Sequence, residues 1–238
     1  MEPREASPLH CRPEAFEALA QELEGIDTTR GLVRCAVAVS MHQLDGVEPD
    51  AVEGEIVTLA TGIGDRVNTD QPRALLAHAH AVLFDEARFV GNTEDYYHPD
   101  NSYLSRVLET RKGLPITLVL LYKAVLETLG VNVLGVNAPG HFMAGVRDFS
   151  DNASADRSLL LIDPFHGGKV LSREEAFTRI EDIAGGSVAR NDSLLRSASH
   201  TEWLVRLIQN LVGSFDRLGR QDDMNAMMEL RALVDSIR

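Results

Sequence analysis

Two strand-like stretches carry the residues best suited to chemistry, His141 and Asp163. The stretches are "GHFMAGVRDF" and "RSLLLIDPF", and the polar loop "SDNASAD" lies between them, as in a hairpin. A hairpin centred near Asn152 places His141 opposite Asp163, about 5 Å away on the same face, although so long a loop leaves the register open by one or two residues. A histidine held by a carboxylate is the base and orienting pair of a catalytic triad. In the alternative interpretation, Asp163 ends a strand and His141 satisfies a turn.

Thr117 stands where a third catalytic group would be expected. It lies in "RKGLPITLVLLYK", in which Gly113 breaks the chain and Pro115 suits the first turn of an apolar helix. A helix N-terminus can lower the pKa of a thiol usefully, but neither Cys11 nor Cys35 is on this helix, and an alcohol needs a strong base. We therefore expect the Thr117 hydroxyl to bond a group of the helix's own first turn. Thr117 as a nucleophile, with His141 as its base, is the alternative.

Other polar residues predict binding rather than metal or cofactor chemistry. Asn92, Tyr96, Tyr97 and Asn101 cluster in "GNTEDYYHPDN", which is rich in turn residues. The remaining histidine pairings, including His141 with His166, match no ligand motif, and no Walker or Rossmann glycine pattern occurs. We predict no metal site and no cofactor.

Composition and charge exclude several partners. The chain has 238 residues and a net charge of −13, which disfavours binding to nucleic acid or to an anionic membrane surface. Only three lysines (Lys112, Lys123 and Lys169) accompany 20 arginines. Two cysteines are too few for a disulfide framework, and neither a signal-peptide core nor an apolar run of about 18 residues is present. A cytoplasmic protein is the expectation.

Hydrophobic periodicity divides the chain into three regions. Residues 1–88 carry four helical patterns without the alternation of strands. Residues 89–182 hold the apolar helix 115–129, three strands and a helix that begins at Ser172 with a capping box. Residues 183–238 combine an irregular connector with an antiparallel pair of helices the size of one tetratricopeptide unit, which must pack on the rest of the chain to bury its apolar face.

Several of these motifs together resemble the SirB1 family, whose members join a transglutaminase-like core to tetratricopeptide-type C-terminal helices. The resemblance is carried by the Gly91-Asn92 pair, by Asn101-Ser102, by "GLPIT" at 113–117, by "PGHF" at 139–142 and by "IDPF" at 162–165. It extends more loosely over nearly the whole chain. It implies an α+β fold with a papain-type core, in which a helix packs on an antiparallel sheet.

The resemblance also assigns roles to individual residues. His141 and Asp163 correspond to the histidine and aspartate of the superfamily's catalytic triad, and the cysteine position falls within two residues of Pro115. No cysteine stands there, and the SirB1 family shares this departure, with Ser or Thr at the position of Thr117. We therefore expect a degenerate transglutaminase-like protein that binds a protein or peptide, with Asn92, Tyr97, Asn101 and Pro115 as binding residues. The alternative is a hydrolase or acyltransferase that uses Thr117, or a water activated by His141, with Asp163 as the orienting group.

Overall fold

The computed structural model describes residues 8–67, 72–147 and 159–236, which form a mixed α+β fold. The helices of this part of the chain are α1 Pro13–Glu22, α2 Thr29–Ser40, α3 Pro49–Gly64, α4 Pro72–His80, α5 Leu104–Thr110, α6 Pro115–Thr128, α7 Arg173–Ala184, α8 His200–Arg217 and α9 Gln221–Ser236. The strands are β1 Val90–Gly91, β2 Lys112–Gly113, β3 Val133–Ala138, β4 His141–Arg147, β5 Leu159–Asp163 and β6 Lys169–Leu171. The predicted fold class is confirmed.

Helix α6 forms the centre of the molecule. Pro115 occupies its first position, where the missing N–H costs nothing, and every residue from 115 to 126 is buried. An α-helix that is apolar on all sides must be surrounded by other elements. Helices α2, α3 and α8 and strands β3 and β4 all contact it.

One charged residue of α6, Lys123, is buried, and its partners are half-buried or belong to the backbone. Its ammonium lies 2.5 Å from Glu127 Oε1 and donates to the Val133 carbonyl oxygen at 2.6 Å. The other carboxylate oxygen of Glu127 accepts from the Thr29 hydroxyl. These bonds satisfy the buried charge and join α6 to α2 and β3.

The main sheet is antiparallel, with the strand order β3-β4-β5-β6. Ala144 pairs with Ile162 and Gly145 with Leu161, so the register is shifted by two residues from a hairpin centred on Asn152, at the limit of the range that the sequence left open. His141 and Asp163 are therefore diagonal neighbours instead of direct partners. Because side chains alternate with a period of two, a two-residue shift leaves both groups on one face, and diagonal neighbours stay within reach of long side chains.

Two small strand features escaped the sequence analysis. Strands β1 and β2 form a two-residue parallel pair, and β6 adds a short edge strand. Stretches of two or three residues are too short to show an alternating pattern. The connector after α7 contains a 3₁₀ turn at Asp192–Leu195, and Ser197 then bridges to Val136, so this connector covers the free edge of β3.

Helices α8 and α9 pack against each other as the predicted C-terminal hairpin, with α8 on α2 and α6 and α9 on α1. The Ser199 side chain accepts from Glu202 N–H in a capping box at the start of α8, and a second box at Ser172 begins α7 as predicted. Trp203, the sole tryptophan, is buried and donates from its indole to the Ile116 carbonyl oxygen at 3.3 Å. The main hydrophobic cluster runs from Cys11 to Val234, through all three regions of the sequence.

None of the described helices is both long enough and apolar enough to cross a membrane.

Candidate functional site

A cleft of about 630 Å³ opens beside the first turn of α6. Strand β4 begins at its floor, the 3₁₀ turn Pro164–His166 and helix α7 form one wall, and the loop after β1 forms the other. The lining residues are Thr93, Tyr96, Tyr97, Pro115, Gly140, His141, Phe165, His166, Arg179, Asp182 and Ile183.

The predicted pair, His141 and Asp163, meets at the floor of this cleft. His141 Nε2 lies 3.0 Å from Asp163 Oδ2, and both side chains are almost completely buried. The nitrogen and oxygen are close, but they are not aligned as a hydrogen bond. The two groups are as close as a catalytic base and its orienting carboxylate, but they lack the hydrogen-bond geometry of a catalytic triad.

Two further groups converge on the same oxygen of Asp163. His166 Nδ1 hydrogen-bonds to Oδ2 at 2.7 Å, and Arg179 Nε lies 3.8 Å from it. The other oxygen, Oδ1, is buried and has no hydrogen-bond partner among the described residues. The carboxylate therefore concentrates its contacts on one side, towards the cleft.

The electrostatic balance at Asp163 favours the ionised form. Burial alone raises the pKa of this carboxyl, but the adjacent imidazoles of His141 and His166 outweigh it and hold the pKa well below its usual range. Asp163 is consequently a carboxylate at neutral pH, able to orient an imidazole or bind a cation.

His166 was considered from the sequence only as a possible partner of His141 and set aside, and Arg179 was not singled out. His166 follows Asp163 by three residues across a tight 3₁₀ turn, which brings its ring back onto the carboxylate. Arg179 comes from α7 and also approaches His166, with its Nη1 3.4 Å from Nε2. The "DPFH" spacing is the local signal for His166, whereas nothing in the sequence indicates where Arg179 lies.

The first turn of α6 presents Pro115 to the cleft and hides Thr117. Pro115 lines the cleft beside His141, whereas Thr117 is 0% exposed and does not line it. The expected hydrogen bond within the first turn is absent, since the Thr117 hydroxyl oxygen has no partner in the described structure. One group of the first turn, the Leu114 N–H, is unavailable to it because this N–H donates to the Asn101 carbonyl oxygen.

Asn92 and Asn101 shape the loop that carries the two tyrosines. Asn92 Nδ2 donates to Asn101 Oδ1 at 2.9 Å, and Asn101 Nδ2 donates to the carbonyl oxygens of Asp95 and Tyr96. Neither asparagine lines the cleft, while Tyr97 does. The asparagines act here as positioning residues, and Tyr97 and Pro115 remain the predicted contact residues.

Aromatic rings cover much of the cleft wall. Phe165 packs edge-on against Tyr96 and His141, with centroid distances of 5.9 and 6.1 Å. Its position requires Gly91, because a Cβ at residue 91 would lie 2.4 Å from the ring. Packing among these rings and against Gly91 therefore positions this wall of the cleft.

The C-terminal hairpin reaches the cleft through two arginines of α8. The Arg217 guanidinium stacks 3.9 Å from the centre of the Tyr97 ring. Arg206 bonds Asn137 Oδ1 and donates to the Ala138 carbonyl oxygen at 2.9 Å, at the turn that precedes His141. Helix α8 therefore contacts both the Tyr97 ring in the cleft wall and the turn that leads into His141.

Both cysteines lie outside the cleft lining. Cys11 and Cys35 are buried, and burial raises the pKa of each thiol to about 12. A thiol of that pKa is protonated at neutral pH and is a poor nucleophile.

A helix N-terminus facing an antiparallel sheet, with a histidine and an aspartate on adjacent strands, is the arrangement of the transglutaminase-like class. The chain belongs to the transglutaminase-like superfamily, whose family model matches residues 50–209. This match runs from α3 into the first half of α8 and includes every residue of the cleft.

Curated relatives include proteins from bacteria and mammals. A UPF0162 protein of Xylella fastidiosa is 35% identical over 62% of this chain and 51% of its own length. A UPF0162 protein of Pseudomonas aeruginosa is 25% identical over 89% of this chain and 69% of its own. F-box only protein 21 of Mus musculus is 32% identical over 63% of this chain and 22% of its own.

The chain thus spans about half the length of the Xylella fastidiosa relative. The search of solved structures gave no match.

Proposed function

We propose that this chain is a degenerate transglutaminase-like protein of the SirB1 type, whose cleft binds a peptide or protein segment without thiol chemistry. The observation that carries the proposal is the identity of the residue at the first turn of α6. Pro115 lines the cleft beside His141, within two residues of the position at which the resemblance places the superfamily's nucleophilic cysteine, and Thr117 is buried and does not line the cleft.

The shape and lining of the cleft support a peptide as the occupant. Tyr96, Tyr97 and Phe165 offer flat aromatic surface, and Arg179 and Asp182 offer charges of both signs. Rigid aromatic anchors beside a few polar groups are typical of surfaces that hold peptide segments. In this proposal the tetratricopeptide-like hairpin serves as a support, because Arg217 holds the Tyr97 ring in place.

Binding and turnover are tested together on the full chain. Selection from an immobilised random-sequence peptide library identifies a probe peptide, whose affinity is then measured for the wild type, Tyr97→Ala and Met228→Ala. Met228 is an exposed residue of α9 outside the cleft and serves as the matched control. We expect Tyr97→Ala to weaken binding about tenfold or more, as for an aromatic anchor, and Met228→Ala to leave it unchanged.

The same preparation is assayed for ammonia release from a glutamine peptide and for hydrolysis of an aryl ester. We expect no turnover that depends on His141. Turnover that disappears in His141→Ala, while the circular dichroism spectrum is retained, contradicts the proposal.

A hydrolase is the second candidate, favoured by the 3.0 Å approach of His141 to Asp163 inside an open cleft. In that case His141 removes a proton from water as the resulting hydroxide attacks the substrate carbonyl. Thr117→Val separates the two versions of this candidate, because it removes the hydroxyl but keeps the volume. Unchanged activity in Thr117→Val leaves water as the nucleophile, and lost activity assigns that role to Thr117.

A further inference from the structure

We propose that His141, Asp163 and His166 bind one first-row divalent transition-metal ion, of which Zn²⁺ is the probe. Two imidazoles and one carboxylate form a three-ligand set that leaves further coordination positions open. The proposal concerns the same cleft as the peptide-binding function, but it does not depend on that function.

The ligand atoms are already gathered at nearly the spacing that a metal needs. Asp163 Oδ2 is 2.7 Å from His166 Nδ1 and 3.0 Å from His141 Nε2, and one ligand atom from each of the three residues lies within 4.8 Å of the other two. Ligands bound to an ion at about 2.1 Å are separated by roughly 3.0–3.5 Å. Small rotations of the two rings are enough to bring the three atoms around an ion.

Two buried polar atoms of the cluster lack partners in the described structure, and these point independently to a ligand. They are His141 Nε2, which approaches Asp163 without hydrogen-bond alignment, and Asp163 Oδ1. Asp163 is 0% exposed and His141 is 2% exposed, so water is largely excluded from both. Buried polar atoms are almost always paired, and a cation bound beside Asp163 Oδ2 supplies the missing partner of His141 Nε2. A carboxylate that binds the ion through both oxygens would also pair Asp163 Oδ1.

The donor types and the access route decide which kind of ion fits. Imidazole nitrogen suits zinc and other first-row transition metals, whereas magnesium and calcium prefer all-oxygen sites. His166 is 37% exposed and lines the cleft together with His141, which gives the ion a path from solvent. The open coordination positions then face the cleft, where the peptide would lie.

The positive charge of Arg179 disfavours an ion at Asp163, and metal binding also changes the contact between Arg179 and His166. A hydrogen bond from His166 to an ionised Asp163 requires the proton on Nδ1, and Nε2 faces the Arg179 guanidinium at 3.4 Å. Metal binding at Nδ1 displaces that proton, and the neutral ring then carries its proton on Nε2. The Arg179 N–H can no longer donate there, so the guanidinium must move away from the cluster.

The test is Zn²⁺ binding by the full chain after removal of metal with a chelator and dialysis. Isothermal titration calorimetry and elemental analysis are applied to the wild type, His166→Ala and the control His78→Ala, whose residue lies on α4 outside the cluster. We expect one equivalent of Zn²⁺ in the wild type and the control, and a loss of about a hundredfold or more in affinity for His166→Ala. Absence of stoichiometric binding, or binding that His166→Ala leaves intact, overturns the proposal.

A second measurement needs no variant and so remains informative if His166→Ala fails to fold. X-ray absorption of the Zn²⁺-loaded wild type should show two imidazoles and oxygen ligands near 2.0–2.2 Å. A sulfur shell near 2.3 Å, or absence of the imidazole signal, contradicts the assignment.

Arg179→Met provides a test that a merely structural cluster would not pass. It removes a positive charge 3.8 Å from the ligand oxygen while keeping most of the side-chain volume. We expect Zn²⁺ affinity to rise about fivefold or more, as the loss of a nearby like charge predicts. Unchanged or weaker affinity in this variant counts against an ion at Asp163.

The two proposals fail separately. If the chain binds Zn²⁺ but no peptide binds in a way that requires Tyr97, the proposed function is contradicted and the metal site stands. If a peptide binds through Tyr97 but Zn²⁺ does not bind, the metal site is contradicted and the proposed function stands.

Discussion

Gly140 illustrates how the cleft depends on residues that have no side chain. It forms the turn between β3 and β4 with φ +70°, immediately before His141. A Cβ there would lie 2.4 Å from Ile183 Cγ2 of α7, on the opposite wall. Glycine is therefore needed both for the left-handed backbone and for the close approach of α7.

We predict that Gly140→Ala destabilises the protein by about 1–3 kcal/mol, because it adds backbone strain and a clash. Gly213→Ala is the matched control, since its added Cβ meets nothing within 4 Å and it lies inside α8. The control should raise stability by about 0.5–1 kcal/mol through higher helix propensity. Urea unfolding measures both, and equal effects of the two substitutions would contradict the structural role of Gly140.

The two thiols provide a second prediction at the residue scale. With pKa values raised to about 12 by burial, Cys11 and Cys35 are neutral throughout the physiological range. Only a pH near the raised pKa, or unfolding, would produce the reactive thiolate. We expect alkylation by iodoacetamide at about pH 8 to be negligible in the native protein and complete in urea, as read by mass spectrometry. Rapid labelling of either cysteine in the native protein would contradict this prediction, because it would show that the thiol is accessible and reactive.

At the scale of elements, the sequence predicts helices better than the contacts between elements. The extent of α6 and the capping box at Ser172 follow from local rules, because apolar periodicity and capping residues act over a few positions. The register of β4 and β5 depends on a long loop and was off by two residues. The pairing of His141 with Asp163 survived only because that shift keeps both residues on one face.

Local sequence patterns do not predict the remaining contacts of the site. Arg179 reaches Asp163 because α7 packs against β4 and β6, and Arg217 reaches Tyr97 because α8 returns to the cleft. Such contacts join residues far apart in the chain, so no periodicity in the sequence records them. The hydrogen bond from the Leu114 N–H to the Asn101 carbonyl oxygen is likewise not indicated by any local pattern.

The capping box of α8 supplies the prediction at this scale. Ser199 Oγ accepts from the Glu202 N–H at 3.1 Å, and the Glu202 carboxylate accepts from the Ser199 N–H at 3.0 Å. We predict that Ser199→Ala lowers the free energy of unfolding by about 1 kcal/mol, because one N–H at the helix start loses its partner. Ser199→Asp should restore most of this loss, because aspartate is also a good N-cap. A loss that Ser199→Asp does not restore would indicate a role for Ser199 other than capping.

For the molecule as a whole, the three regions seen in the sequence share one hydrophobic cluster. Its members come from α1 and α2, from α6 and the sheet, and from α8 and α9. Trp203 of α8 lies in this cluster against Phe142 of β4, with ring centroids 4.6 Å apart. Regions that share a core lose their packing together when one of them unfolds.

We therefore predict a single cooperative unfolding transition. Trp203 fluorescence reports the packing of α8, and circular dichroism at 222 nm reports helix content throughout the chain. Both signals should give the same urea midpoint. Separated midpoints would show that the three regions behave as independent units.

The scarcity and pairing of lysines limit how this protein can be labelled. Lys123 is buried against Glu127, while Lys112 and Lys169 are partly exposed and lie 2.8 and 3.3 Å from Glu94 and Glu175. Reagents that acylate amines, including the usual cross-linkers, therefore find only two accessible side-chain targets in the described structure. Distance mapping of a bound partner will need carboxylate-directed or photoactivated reagents, for which the 36 acidic residues offer far more anchor points.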